Sequence, residues 1–446
     1  MKKFYDEILK EKYLMNELAV ELNSILDLSV VGQFLSPTGR RLYFPKGIVA
    51  QSAEAAGKAK RYNATVGLAT SKGQPMHLED IYSRFVPGSF EPKEIFNYAP
   101  GGGDKTLRSI WKQEMIRKNP TLQGKFFSSP LVTAGLTHGI SLVATLFVPD
   151  GAEVVCPNLY WDNYELVFSE LANGRLKLFK FFTEDGHFNV EAMKEALLEV
   201  QGPTARIILN FPNNPTGYTP SRDEAMRIVE ALKEVARYKK VLAILDDAYY
   251  GLFYEEETEK ESLFSYLCDC DENIFALKVD GATKEEMVWG FRIGFISCGY
   301  KGITDEILDA LEKKVLGAIR CTVSNCDRPG QTMLLDALRN GKHYHEDKAK
   351  AHELMKSRYL AMKQVLAPHM DDELLRPYPF NSGYFMAFDT MGRDAEELRV
   401  YLLDNYEIGA INIMGNTLRL AYCSVEEDKI ADLVSLLYKA VKELWG

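Results

Sequence analysis

Val241-Leu242-Ala243-Ile244-Leu245-Asp246-Asp247-Ala248-Tyr249 is a continuous apolar run closed by two carboxylates and, two positions further on, a tyrosine. Such a run reads as a strand buried on both faces of a parallel sheet, carrying an acid at its C-terminal tip. In open α/β sheets that tip is where ligands bind. Working outward, Lys284 stands 38 positions after Asp246, Arg292 follows eight further on, and Asn213-Asn214-Pro215-Thr216-Gly217 lies upstream at the end of the preceding apolar run. Apolar runs at 154–156, 176–182, 206–211, 241–246, 274–279 and 293–297 read as strands, with helical patterns at 190–200 and 224–238 between them. This alternation predicts parallel pairing with right-handed crossovers, hence a three-layer α/β/α large domain with a mostly parallel sheet. The strand tips then bring Asn214, Asp246 and Lys284 to one edge. Beyond about residue 325 the pattern turns to long helices at 345–366 and 425–444 with short strands between. This, with the N-terminal helix, reads as a smaller α+β domain. The expected division is 1–70 as N-terminal arm and part of the small domain, 71–325 as the large domain and 326–446 as the small C-terminal domain, with the site in the cleft.

An asparagine, an acid, a tyrosine, a lysine and an arginine, in that order, are the parts that hold pyridoxal phosphate (PLP). The aldehyde of PLP is held as a Schiff base by a lysine amine, which assigns Lys284. The ring is a deep electron sink only while its nitrogen stays protonated, so a carboxylate faces that nitrogen; Asp246 is assigned. Alternation along the strand sends Asp247 to the opposite face. The ring's phenolate oxygen calls for donors, which Asn214 and Tyr249 supply. The phosphate calls for a bidentate cation, the guanidinium of Arg292. Lys284, once displaced by the substrate amine, is the base that moves the α-proton.

These residues resemble the fold-type I, class I/II aminotransferases, and the aspartate aminotransferase branch in particular. Val132-Thr133-Ala134-Gly135-Leu136-Thr137 resembles the family's strand and turn whose backbone amides meet the phosphate at a helix start, which implies Gly135, Leu136 and Thr137 as cofactor ligands. Tyr160-Trp161-Asp162-Asn163-Tyr164 resembles the aromatic segment whose tryptophan stacks on the pyridine ring, implying Trp161. Asn97-Tyr98-Ala99-Pro100 resembles the segment whose tyrosine crosses a dimer interface to the partner's phosphate, implying Tyr98. Arg419, in Thr417-Leu418-Arg419-Leu420-Ala421-Tyr422, resembles the arginine that grips the substrate α-carboxylate, and Asn381–Phe385 resembles the strand that precedes it. Substrate contacts implied alongside Arg419 are Asn214, Trp161 and Arg320. In Ala318-Ile319-Arg320-Cys321-Thr322-Val323-Ser324-Asn325, Arg320 resembles the arginine that reaches into the neighbouring site to pair with a side-chain carboxylate. Two departures stand out. Where the family usually has Ser-x-Ser-Lys this chain has Gly281-Ala282-Thr283-Lys284, and Glu285 and Glu286 follow the lysine directly. The first fifty or so residues match the family poorly.

Bulk properties bound the alternatives. A chain of 446 residues, 46% apolar and 26% charged, suits a globular protein of two domains. A net charge of −10 argues against nucleic acid or anionic membranes as partners. Seven scattered cysteines without metal-ligand spacing read as free thiols of a cytoplasmic protein, and no metal is expected. His343 and His345 read as solvated, Pro100–Gly103 as a turn, and His138 either touches the phosphate or packs. The charged start, Met1–Glu7, and the lack of any apolar run of about 18 residues predict neither signal peptide nor membrane span. The expectation is a PLP-dependent aminotransferase that moves an amino group between an α-amino acid and an α-keto acid through a Lys284 Schiff base. Aspartate or glutamate stands slightly ahead of aromatic or neutral donors, with 2-oxoglutarate as acceptor, and the sites are shared in a homodimer. The same fold and cofactor also serve lyases, decarboxylases and racemases. They serve non-catalytic regulatory proteins too, but here Lys284, Asp246 and Arg292 are all present, with no helix-turn-helix pattern.

Overall fold

The computed structural model describes residues 15–446; the charged start at residues 1–7 lies outside the described residues. A seven-stranded sheet forms the first layer system. Its strands are β1 (Leu131–Thr133), β2 (Glu153–Pro157), β3 (Arg175–Phe179), β4 (Thr204–Asn210), β5 (Lys240–Asp246), β6 (Ile274–Gly281) and β7 (Gly294–Gly299). Their spatial order is β1-β7-β6-β5-β4-β2-β3. Helices α1 (Lys105–Lys118), α2 (Leu136–Phe147), α3 (Val190–Glu199), α4 (Arg222–Ala236) and α5 (Asp305–Thr322) belong to this part of the chain. The six apolar runs read from the sequence are β2 to β7, with differences at the ends; β1 is not among them and falls in the segment read by resemblance as a strand and turn. β3 stops at Phe179, because the Phe181 amide turns to the Asn158 side chain at 2.8 Å. β7 begins one residue later than expected and pairs antiparallel with both β1 and β6. A parallel neighbour needs a crossover of a dozen or more residues, usually a full helix. Residues 282–293 link β6 to β7 at the lower limit of that length and hold only a single helical turn and a 3₁₀ turn, with no full crossover helix, and the chain doubles back.

A second, four-stranded sheet comprises β8 (Arg376–Pro377), β9 (Phe385–Asp389), β10 (Ile411–Ile413) and β11 (Thr417–Ala421), all antiparallel, in the order β8-β9-β11-β10. Around it stand α7 (Tyr344–Leu366), α8 (Ala395–Tyr406) and α9 (Ile430–Trp445), with α6 (Arg328–Asn340) before them. α9 starts five residues later than the sequence pattern suggests. Val425 and Glu426 stay extended, and the Glu426 carboxylate is taken by the buried Arg358 at 2.7 Å. Two apolar cores result. One runs through the large sheet and takes in Leu334 and Ala337 of α6 and Tyr344 and Ala351 of α7. The other is built on the small sheet and takes in Met355, Tyr359, Met362 and Leu366 of the same α7. This helix therefore spans both cores. The N-terminal region joins the second: Tyr62–Asn63 pairs in parallel with Ile408–Gly409, and Gln51 exchanges hydrogen bonds with the Asn412 backbone.

Candidate active site

β5 carries Asp246 to the C-terminal edge of the large sheet, beside Asn210 at the tip of β4, with which it is in register. Asn210 ties the two tips together. Its side-chain amide donates to the Asp246 carbonyl at 2.7 Å, and its Oδ1 accepts from the Asn214 amide at 2.8 Å. The Asp246 carboxylate accepts the phenolic hydrogen of Tyr164 and, at 3.1 Å, the Ala248 amide. Burial pushes this carboxyl up to about 6, against the lowering effect of those two bonds and of the Lys284 cation. Asp247 turns the other way, to Lys278 at 2.9 Å and to Ser262.

Lys284 sits in the helical turn after β6, with its ammonium 5.3 Å from the centre of the Tyr249 ring. Burial, reinforced by the Arg292 charge, lowers its amine to about 8 even though Asp246 pulls the other way. The backbone carbonyl of Lys284 accepts from Tyr384 Oη at 3.0 Å. Arg419, on β11 of the small sheet, is 1% exposed. It donates to Asn214 Oδ1 at 2.9 Å and to the Thr65 carbonyl at 2.7 Å, and its guanidinium carbon lies 4.2 Å from the centre of the Phe385 ring. Its Nε–H is buried without a partner among the described residues. Asn214 thus spends its oxygen on Arg419 and keeps its amide hydrogens.

The turn before α2 forms a cradle. Gly135 has φ +83°, and a Cβ there would come within 2.5 Å of Arg292 Nη2. Only glycine lets the guanidinium lie against the first amides of α2, which have no side-chain cap. A helix N-terminus with an arginine beside it is an anion site of the kind that receives a phosphate. Leu136 and Thr137 open this helix. His138 serves the turn itself: its Nδ1 accepts the Ala134 amide at 3.0 Å, and its Nε2 lies 2.8 Å from Thr322 Oγ1. Burial lowers its pKa, favouring the neutral ring that this acceptor role requires. Gly281 has no room for the family's usual serine, since a Cβ would stand 2.6 Å from the Ile293 carbonyl. The Thr283 hydroxyl is buried without a partner.

Trp161 packs edge-on to Tyr164, with ring centres 5.7 Å apart, and so stands on the Asp246 side of the site. Asn210 and Arg419 tie Asn214 to the Asp246 tip and the small sheet, and Tyr164 joins Trp161 to Asp246. Lys284 lies beside the Tyr249 ring, and Arg292, against Gly135, acts on the Lys284 amine by charge. Tyr98 and Arg320 are not among them. Tyr98 is 89% exposed, and Arg320, exposed at the end of α5, bonds among the described residues only to Ser324, at 2.5 Å. Three supporting residues escaped the sequence reading. Asn210 ends an apolar run in the same way as Asp246, and that signal was available. Tyr164 stood in a quoted segment, but nothing in the sequence pairs it with Asp246. Thr65 acts through its carbonyl, which leaves no trace in residue type.

Where PLP is concerned the residues fit: a buried acid, a depressed lysine amine, an anion cradle that a Cβ would fill, and a buried arginine with an unsatisfied N–H. Comparisons with known proteins agree. The family described as "Aminotransferase class I and II" matches residues 78–437. A probable aspartate/prephenate aminotransferase of Aquifex aeolicus is 24% identical over 360 residues, covering 78% of this chain and 84% of the relative. An aminotransferase of Anaerococcus prevotii superposes with a TM-score of 0.77 at 26% identity, over 89% of this chain and 97% of that one. A kynurenine aminotransferase of Pyrococcus horikoshii, solved with PMP (the amino form of PLP), superposes with a TM-score of 0.77 at 19% identity, over 94% and 100% of the two chains.

Proposed function

The chain belongs to the class I and II aminotransferases, PLP-dependent enzymes, and from that premise we propose the roles of its residues and its substrate class. When bound, PLP supplies an electron sink for the substrate α-carbon and a carrier for the amino group. The observation that carries the reading is Arg419. It is buried, held in place by Asn214 and Thr65, and has an N–H still free, so it is a preorganised clamp for an α-carboxylate. With a carboxylate held there, the substrate's α-carbon would lie towards Lys284, whose amine, lowered by burial, would serve as the base for the α-proton. Asp246 would face the ring nitrogen, and the Asn214 amide and Tyr249 hydroxyl would donate to the phenolate oxygen. Trp161 would cover the ring, while Arg292 and the amides of Gly135, Leu136 and Thr137 would hold the phosphate.

The substrate reading is a dicarboxylic amino donor, aspartate or glutamate, with 2-oxoglutarate as acceptor, ahead of aromatic or neutral donors. It requires Arg320 to act on the site of a second copy, because among the described residues of one chain that side chain hydrogen-bonds only to Ser324. A two-fold homodimer with shared sites follows, burying more than about 2,000 Å². Supporting it, Tyr98 and Phe96 are 89% and 85% exposed beside Ala99, whose carbonyl is bonded by Asn325 from the Arg320 segment. The division of the chain at about residues 70 and 325 belongs to the same reading. So does a cytoplasmic location, which suits seven free cysteines. A panel of amino donors tests the substrate against wild type and Arg320→Leu. Selective loss of aspartate and glutamate turnover is expected, and an unchanged donor profile rules out the clamp.

A further inference from the structure

Directly behind the reactive lysine lies a buried set of charges that the roles above do not use. Glu285 accepts from Lys118 at 2.6 Å and from Lys348 at 2.8 Å. Glu286 is 0% exposed, and its Oε1 accepts from Lys348 at 2.8 Å and from Tyr344 Oη at 2.9 Å, while its Oε2 has no partner among the described residues. Lys118 ends α1 of the large domain, whereas Tyr344 and Lys348 occupy the first turns of α7. That helix is the one with its start in the large core and its end in the small core. Tyr384, just ahead of β9 of the small sheet, adds a second tie through the Lys284 carbonyl.

Stability does not explain this arrangement. A buried ion set with an orphan carboxylate oxygen is often no better than apolar residues of the same volume, and the unpaired oxygen is a cost. Nor does the set act by charge on the amine, since the groups that shift Lys284 are, after burial itself, Arg292, Asp246 and Cys423. What the network does provide is directional attachment between the lysine's main chain and a helix shared by both cores. Against the penalty of burial, Lys118 and Lys348 hold the Glu285 carboxyl down to about 2, so its bonds to both cations persist throughout the working pH range.

We propose that Glu286 and Glu285 are positioning residues that fasten the Lys284 main chain to the interdomain helix through Tyr344 and Lys348, setting the lysine's reach to the substrate α-carbon. The proposal rests on Lys284 being the residue that holds PLP. Rotation of α7 relative to the large sheet would then be felt at Lys284 through two charged bonds and a hydroxyl.

The test uses the PLP-loaded enzyme in four forms: wild type, Glu286→Leu, Glu286→Gln and Tyr344→Phe. Borohydride reduction of the wild type with peptide mapping comes first; a label on any lysine other than Lys284 overturns both the site assignment and the proposal. With Lys284 labelled, Glu286→Leu and Tyr344→Phe should lower kcat about tenfold or more with KM little changed. The visible circular dichroism of the bound cofactor, which reports its orientation, should weaken in the same variants. Glu286→Gln keeps an acceptor for the Tyr344 hydroxyl and should recover most of both signals. Cofactor content and melting temperature are read alongside. If Glu286→Leu fails to fold, Tyr344→Phe, which removes one oxygen, carries the test alone. Unchanged kcat per bound cofactor and unchanged dichroism, with only the melting temperature reduced, overturns the proposal.

Discussion

The reactive lysine illustrates how far a residue's surroundings depart from its type. An ordinary lysine amine titrates near 10.4, so at pH 8 well under one per cent is neutral. Lowered to about 8, roughly half of Lys284 is neutral at that pH. The neutral form is the nucleophile that captures PLP. The rate at which apoprotein gains the visible absorption of bound cofactor should therefore climb as pH rises through about 8 and level off above it. A rate still climbing steeply at pH 10 would show that the amine is not depressed. Asp246 is shifted in the opposite sense, up to about 6, and the Tyr164 hydrogen bond restrains that rise by favouring the ionised form. Tyr164→Phe removes a bond to a charged acceptor, worth about 1.5–3 kcal/mol. The Asp246 pKa then moves higher, and activity should fail at a higher pH as the medium is acidified. The acid limb of kcat/KM against pH, compared between wild type and variant, reads this directly; coincident limbs would mean the Tyr164 bond is irrelevant to the working acid.

At the level of elements, the site depends on where β6 turns back into β7. The two strands are in antiparallel register from Gly281–Gly294 to Ala276–Gly299, and Lys284 lies in the turn between them. Gly281→Ser would restore the hydroxyl usual in the family, yet its Cβ would meet the Ile293 carbonyl at 2.6 Å. Overpacking of this kind costs about 1–3 kcal/mol. We expect a lower melting temperature together with weaker retention of PLP in dialysis, because the same displacement moves the turn that carries Lys284. Tighter retention with unchanged melting would show that the backbone yields and the serine is accepted.

The whole molecule sets the last requirement. Tyr98 is exposed, and among the described residues Arg320 hydrogen-bonds only to Ser324, so their proposed roles need a second copy. Mixing inactive Lys284→Ala chains with inactive chains of an Arg320 variant, after exchange of subunits, should restore turnover of aspartate. A mixed dimer then has one site with both residues intact. No recovery in a mixture shown by mass to contain mixed dimers would place Arg320 outside the partner's site.

Much of the molecule was legible in residue order because it follows local rules. The buried strand run ending in Asp246, the asparagine turn, the lysine and arginine at fixed intervals, and the alternation of strand and helix all depend on short-range pattern and chemistry. Other features depend on groups distant in the chain, which no local pattern encodes. The reversal of β7 goes with a connection that holds no full crossover helix. Tyr164 reaches Asp246 across 82 positions, and Arg419 is fixed by a carbonyl 354 positions away, a contact to which any side chain is indifferent. Glu285 and Glu286 read in sequence as two unexplained charges after a lysine, and became intelligible once Lys118 and Lys348 were seen beside them. The sequence by itself determined which chemical groups are available and the order of the elements that carry them. The tertiary structure decided which groups meet, because burial and pairing energies depend on distance in space and not on distance along the chain.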